Sequence, residues 1–211
     1  NAAFATFTGS NENITKAKAF LQNKQVLTPI QVKQLEFILY TAGANPEAAG
    51  TLVQKKIVLE TEQTEALFGF AYNIAGTPVT TNQIDEFLRT ETNVEKRLVY
   101  WEASKEVGKN LKQGLTDLRQ LRNETVKSLG YNDYFAYQVS DYGMTTKEML
   151  ELCDKMVNDI WPLYRELHTW ARYTLAEKYH QPVPDYLPAH WLPNRWGQDW
   201  TSLVEVEGLN I

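Results

Sequence analysis

The sequence predicts an all-α protein. Three observations carry this: recurrent helix punctuation, an apolar period near 3.6 residues in most segments, and a scarcity of strand signals. Thr28-Pro29 puts a capping residue before a proline suited to the first helical position. Ile30, Val32, Leu35, Ile38 and Leu39 follow at helical spacing, and Gly43 is the expected stop. Asn45-Pro46 repeats the device for a longer helix reaching about Tyr72. Apolar spacing predicts further helices over residues 81–89, 93–107, 109–129 and 133–139.

The longest helix opens at Thr145, whose partner Glu148 completes a capping box, and runs to about Tyr179. Met149, Cys153, Met156, Ile160, Leu163, Leu167 and Trp170 form one apolar stripe. Val157, Trp161, Tyr164, Ala171 and Leu175 form a second beside it, so the helix is expected to be covered on more than one side. Its length of about 50 Å, at about 1.5 Å per residue, exceeds the roughly 43 Å diameter of a compact chain of this size. Pro162 is a place for a bend, yet the mismatch predicts that more protein packs alongside. The chain therefore reads as a single helical fragment, residues 1–211, of a larger helical protein.

Composition excludes several function classes. With 43% apolar residues in 211, the chain can build a substantial core. A net charge of -5 with both signs interspersed leaves no basic stripe for nucleic acid. No apolar run reaches the roughly 18–20 residues of a membrane span. Cys153, the single cysteine, cannot close an intrachain disulfide and is expected to be a small buried hydrophobe. Asn13-Ile-Thr15 and Asn123-Glu-Thr125 fit the short glycosylation pattern.

Catalytic chemistry is not legible in these residues. His168, His180 and His190 are the histidines, and none begins an H-E-x-x-H, in which two histidines one turn apart bind zinc. They are expected as a core residue, an exposed residue and a loop anchor respectively. Glu148 and Glu151 read as helix-surface charges. No catalytic residue and no metal ligand is assigned within this chain.

The unusual segment is "LPAHWLPNRWGQDW", in which prolines and tryptophans alternate after a long helix. It resembles the Pro-Ala-His-x-Leu-x-Asn-x-Trp-x-Gln-x-Trp segment of the peptidyl-dipeptidase A family, the angiotensin-converting enzyme-like zinc metallopeptidases. "LRNETVKSLGYNDYFAY" and "PLYRELHTWARYTLAEKY" are similar to that family's helix-to-Gly-Tyr stretch and long helix. The likeness is carried by residues 99–211, mainly Val99 to Thr201. Residues 1–98 agree with the family only in being helical.

The resemblance implies the N-terminal portion of a large two-lobed helical zinc peptidase with a deep central cleft, which releases dipeptides from peptide C-termini. It implies zinc, held by an H-E-x-x-H segment outside this chain, and chloride as a further ion. Implied partners are a peptide substrate with a free C-terminus and the remaining portion of the same enzyme; the implied location is secreted, periplasmic or extracellular. Gln198 matches the glutamine that hydrogen-bonds the substrate's terminal carboxylate, the alternative being an exposed polar residue. Trp196 matches an aromatic of the same wall, with plain packing as the alternative. Tyr142 falls where the family places a tyrosine near one chloride, a core tyrosine being the alternative. Ser104 stands where an arginine of the other chloride site is common, and Tyr100 where a tryptophan is, which argues against that site. Arg195 departs from an uncharged residue. A rival reading is a catalytically inactive helical peptide-binding or scaffold protein of the same fold. On either reading, prolines stiffen the loop and tryptophans anchor it to the helices, so that Gln198 is held still.

Overall fold

The structure, a computed structural model, describes residues 6–203. It is helical almost throughout, as expected, and separates into two compact units. One combines the chain up to Glu65 with Lys112–Lys155; the other combines Ala66–Leu111 with the residues from Met156 on.

The first unit opens with α1 (Asn11–Leu21), packed against α2 (Pro29–Ala42). Thr28 caps α2 as expected: its hydroxyl accepts from Gln31 N, and the Gln31 side chain accepts from Thr28 N at 2.8 Å. Gly43 ends α2 in ordinary right-handed geometry, φ -63°. Glycine is required there for space: a Cβ would lie 2.8 Å from Cζ and 3.0 Å from Cδ2 of Tyr137. That ring is buried, stacks on Tyr40 at 4.8 Å, and donates its hydroxyl to Tyr40 O at 2.8 Å. After a 3-10 turn at Glu47–Ala49, α3 runs over Gly50–Phe68 and crosses into the second unit.

The sequence places a helix up to about Tyr72, but a hairpin intervenes. Strands β1 (Tyr72–Ile74) and β2 (Thr77–Val79) pair antiparallel, and Ala75 and Gly76 turn the corner at φ 50° and 84°. Positive φ at both central residues suits the right-handed strand twist, and the hairpin fills the gap between the helix expected to end near Tyr72 and the one expected from Thr81. Helices α4 (Thr81–Thr90), α5 (Val94–Lys105) and α6 (Val107–Lys127) follow, capped at α4 by a Thr80–Gln83 box and at α5 by Asn93. Tyr72, Ile84, Leu88 and Val107 form one buried cluster. Thr125 is buried and gives its hydroxyl to Leu121 O, while Asn123 Oδ1 accepts from Tyr134 N. The Asn123-Glu-Thr125 pattern is thus built into a helix.

Helix α7 (Tyr134–Ser140) precedes α8 (Thr146–Tyr179), an unbroken 34-residue helix that carries Pro162. Its capping box is formed: Thr145 N donates to Glu148 Oε2 at 2.7 Å and Glu148 N to Thr145 Oγ1 at 3.2 Å. Burial on α8 is confined to Ala171, Leu175, Ala176 and Tyr179. One expectation is therefore corrected. Cys153 is exposed. Met156 and Ile160 are more than half exposed and Leu163 is 73% exposed, so the stripes are not covered on two sides by the described residues. An apolar pattern records which face needs cover; it does not say that these residues supply the cover.

Candidate functional site

The loop after α8 closes back on the second unit. Leu175, Ala176 and Tyr179 of α8 form a buried cluster with Trp191 and Leu192, and Trp200 packs against it. Two of the loop's tryptophans are anchors, as expected. Trp196 is not: it is 50% exposed, with Lys105 Nζ 4.8 Å and the Arg195 guanidinium 5.1 Å from its ring centroid. Two cations against one indole fix its plane by attraction to the ring face rather than by burial.

The path of the loop is set by cations that grip its main chain. Arg172 Nη1 donates to Pro184 O at 3.0 Å and Asp185 O at 2.9 Å. Lys105 Nζ donates to Arg195 O at 2.5 Å, and Arg195 forms an ion pair with Asp85 at 3.2 Å. Arg97 is the most deeply placed, only 1% exposed. It donates from Nε to His190 O at 2.8 Å, from Nη2 to Leu192 O at 2.8 Å, and from Nη1 to Leu88 O at 2.6 Å and Glu91 O at 2.8 Å. Burial holds the Arg97 and Lys105 pKa values below their usual range, with Arg195 adding to the effect at Lys105. A hydrogen bond to a charged group contributes about 1.5–3 kcal/mol, whereas burying an ion costs several kcal/mol. The net stabilisation from Arg97 is therefore modest, while its four acceptors would be left unsatisfied without it.

The distal turn presents the candidate residues. Gly197, at φ 68°, donates to Asn194 O at 3.0 Å, and Trp196 N donates to Asn194 Oδ1 at 2.8 Å. Trp200 Nε1 closes the turn on Gly197 O at 3.0 Å. A left-handed residue is needed at 197, which favours glycine. Gln198 follows: exposed, and without a side-chain hydrogen bond to any described residue. Gln198 and Trp196 thus share one turn. Tyr142, 69% exposed, lies just past α7 in the other unit, so it is no core tyrosine. Ser104 is buried with its hydroxyl on Trp101 O at 2.5 Å, and Tyr100 stacks on Phe87 at 3.5 Å.

The histidines differ from expectation in one respect. His168 is half-buried, between the Tyr164 and Trp200 rings at 5.9 and 6.3 Å, and is not a core residue. His190 anchors the loop through its carbonyl, and burial, reinforced by Arg97, depresses its imidazole pKa. His180 is exposed. Sequence reasoning misses Arg97 and Lys105; the available signal is a pair of basic residues on the α5 face that also carries Trp101 and Ser104.

The family model of angiotensin-converting enzyme, peptidase family M2, matches residues 5–207. The chain belongs to the angiotensin-converting enzyme family. The match takes in most of residues 1–98 as well. Angiotensin-converting enzyme-like protein Ace3 of Mus musculus is 28% identical over 127 residues, 58% of this chain and 17% of that protein. Angiotensin-converting enzyme of Theromyzon tessulatum is 27% identical over 124 residues, 57% of this chain and 20% of that protein. That of Mesocricetus auratus is 29% identical over 128 residues, 59% of this chain and 10% of that protein. These alignments thus span a fifth or less of each relative's length.

The family is zinc-dependent. Among the described residues no three His, Cys, Asp or Glu side chains lie close enough together to hold a metal ion, so these residues do not make a zinc centre. No helix among the described residues is long and apolar enough to cross a membrane.

Proposed function

We propose that this chain is the substrate-binding portion of a zinc peptidyl-dipeptidase that releases dipeptides from peptide C-termini. The observation that carries the reading is Gln198, an exposed amide without a partner among the described residues, on a turn whose main chain is gripped on both sides. An amide offers two N–H donors to a carboxylate without adding a charge that needs its own partner. Trp196 forms the adjoining wall. In this reading zinc and the catalytic residues come from outside these 211 residues, across the cleft of a two-lobed enzyme acting outside the cytoplasm. The amide then measures two residues back from the peptide's end, about 7 Å at about 3.3–3.6 Å per extended residue.

Product analysis tests this. The complete protein is expected to release intact dipeptides from free-acid peptides. Release of single amino acids would overturn the reading, and binding without cleavage would favour an inactive peptide-binding protein of the same fold.

We propose further that Tyr142 contacts a chloride ion, since its side chain is largely open to solvent and Ser104 is turned to its own helix. Chloride titration of activity should be shifted to higher concentration in Tyr142→Phe. Superimposable curves would remove Tyr142 from the account.

A further inference from the structure

Arg97 stands at the junction of three pieces of chain. Leu88 lies in the last turn of α4, where carbonyls lack partners along the helix, and Glu91 caps that end. His190 and Leu192 belong to the loop. Between them, Trp191 O accepts from the Tyr179 hydroxyl at 3.0 Å, and the Tyr179 ring lies under the guanidinium at 5.0 Å. Three consecutive loop carbonyls are therefore held by two side chains, one from α5 and one from α8.

The desolvation of the guanidinium offsets much of what its bonds contribute, so geometry is its main product. A planar fork with donors at fixed angles spans two carbonyls at the end of α4 and two on the loop; an ammonium, a point charge on a flexible stem, does not. The grip passes along the chain. Beyond Leu192 come Pro193, the Asn194 turn, the Lys105 bond to Arg195 O and the Gly197 turn, so little freedom remains before Gln198.

We propose that Arg97 is a positioning residue: by holding the carbonyls of His190 and Leu192 it sets where Gln198 stands and so sharpens recognition of a peptide's terminal carboxylate. The inference rests on the proposed function and names the residue on which the amide's placement depends.

The test is equilibrium binding, by calorimetry on the complete protein, of one dipeptide in free-acid and C-terminally amidated forms. A dipeptide is the expected product, so turnover does not interfere. Wild type, Gln198→Ala, Arg97→Lys and Tyr179→Phe are compared, and fold is checked by circular dichroism. Arg97→Lys is expected to cut the acid-over-amide preference about fivefold to tenfold, roughly what weakening one hydrogen bond to a charged group costs, with amide affinity held within about twofold. Tyr179→Phe loses one of the three carbonyl contacts and should narrow the preference less, keeping the test decisive if Arg97→Lys does not fold. An unchanged preference in the folded variants, while Gln198→Ala narrows it, overturns the inference. An unchanged preference in Gln198→Ala overturns the reading beneath it.

Discussion

On the proposed function, replacing Gln198 with alanine in the complete protein is expected to lower kcat/KM by about 10- to 150-fold for free-acid peptides. The figure follows from a hydrogen bond to a charged group at about 1.5–3 kcal/mol, with about 1.4 kcal/mol per tenfold in rate. Global stability should be unaffected, because Gln198 is exposed and its side chain has no hydrogen-bond partner among the described residues. An amidated peptide lacks the carboxylate that Gln198 is proposed to hold, so it should start as a poor substrate and lose much less. Equal losses on both substrates, or none on either, would mean that Gln198 does not hold the terminal carboxylate.

The largest stability effect is expected at Gly43. Adding one methyl group there drives a Cβ into the Tyr137 ring, which cannot retreat easily: it is buried, stacked on Tyr40 and tied by its hydroxyl to Tyr40 O. Overpacking of this kind costs about 1–3 kcal/mol. Gly50 is the control, since a Cβ there meets nothing within 4 Å at the start of α3. Gly50→Ala should stabilise by about 0.4–1 kcal/mol, through the unfolded chain. Urea unfolding of both variants reads the difference directly. Equal midpoints would mean that the ring gives way after all.

Gly43 also marks where sequence reasoning reaches its limit. A glycine after an apolar helical run reads correctly as an end, but the ring it accommodates comes from Tyr137, which no local pattern connects to it. The capping boxes at Thr28 and Thr145 are legible because both partners lie within one turn. The hairpin at Tyr72–Val79 is not, because strands of three residues are too short to show an alternating pattern between the two expected helices. Cys153 misleads for a different reason: periodicity identifies a face and leaves its cover unspecified.

At the candidate site, a motif singles out Gln198 and Trp196. Their mode of support is not legible in it. Tryptophans are expected to anchor the loop, and Trp191 does so, but the deeper grip is Arg97 on main-chain oxygens contributed by residues more than ninety positions away. A backbone carbonyl leaves no trace in residue identity, so such a contact cannot be read from the loop's own letters.

The same anonymity has an evolutionary side. A loop held by its carbonyls owes its course to groups that every amino acid carries, so many of its side chains are released from holding it in place. Val183 and Tyr186, both turned to solvent, have this freedom; Trp191 and Leu192, which fill the cluster beneath, do not. Lineages can therefore exchange what the loop displays while its track persists, and new preferences can arise by single substitutions on an inherited frame. The burden of constancy falls instead on Arg97, Lys105 and Arg172, whose side chains hold the loop's main-chain oxygens.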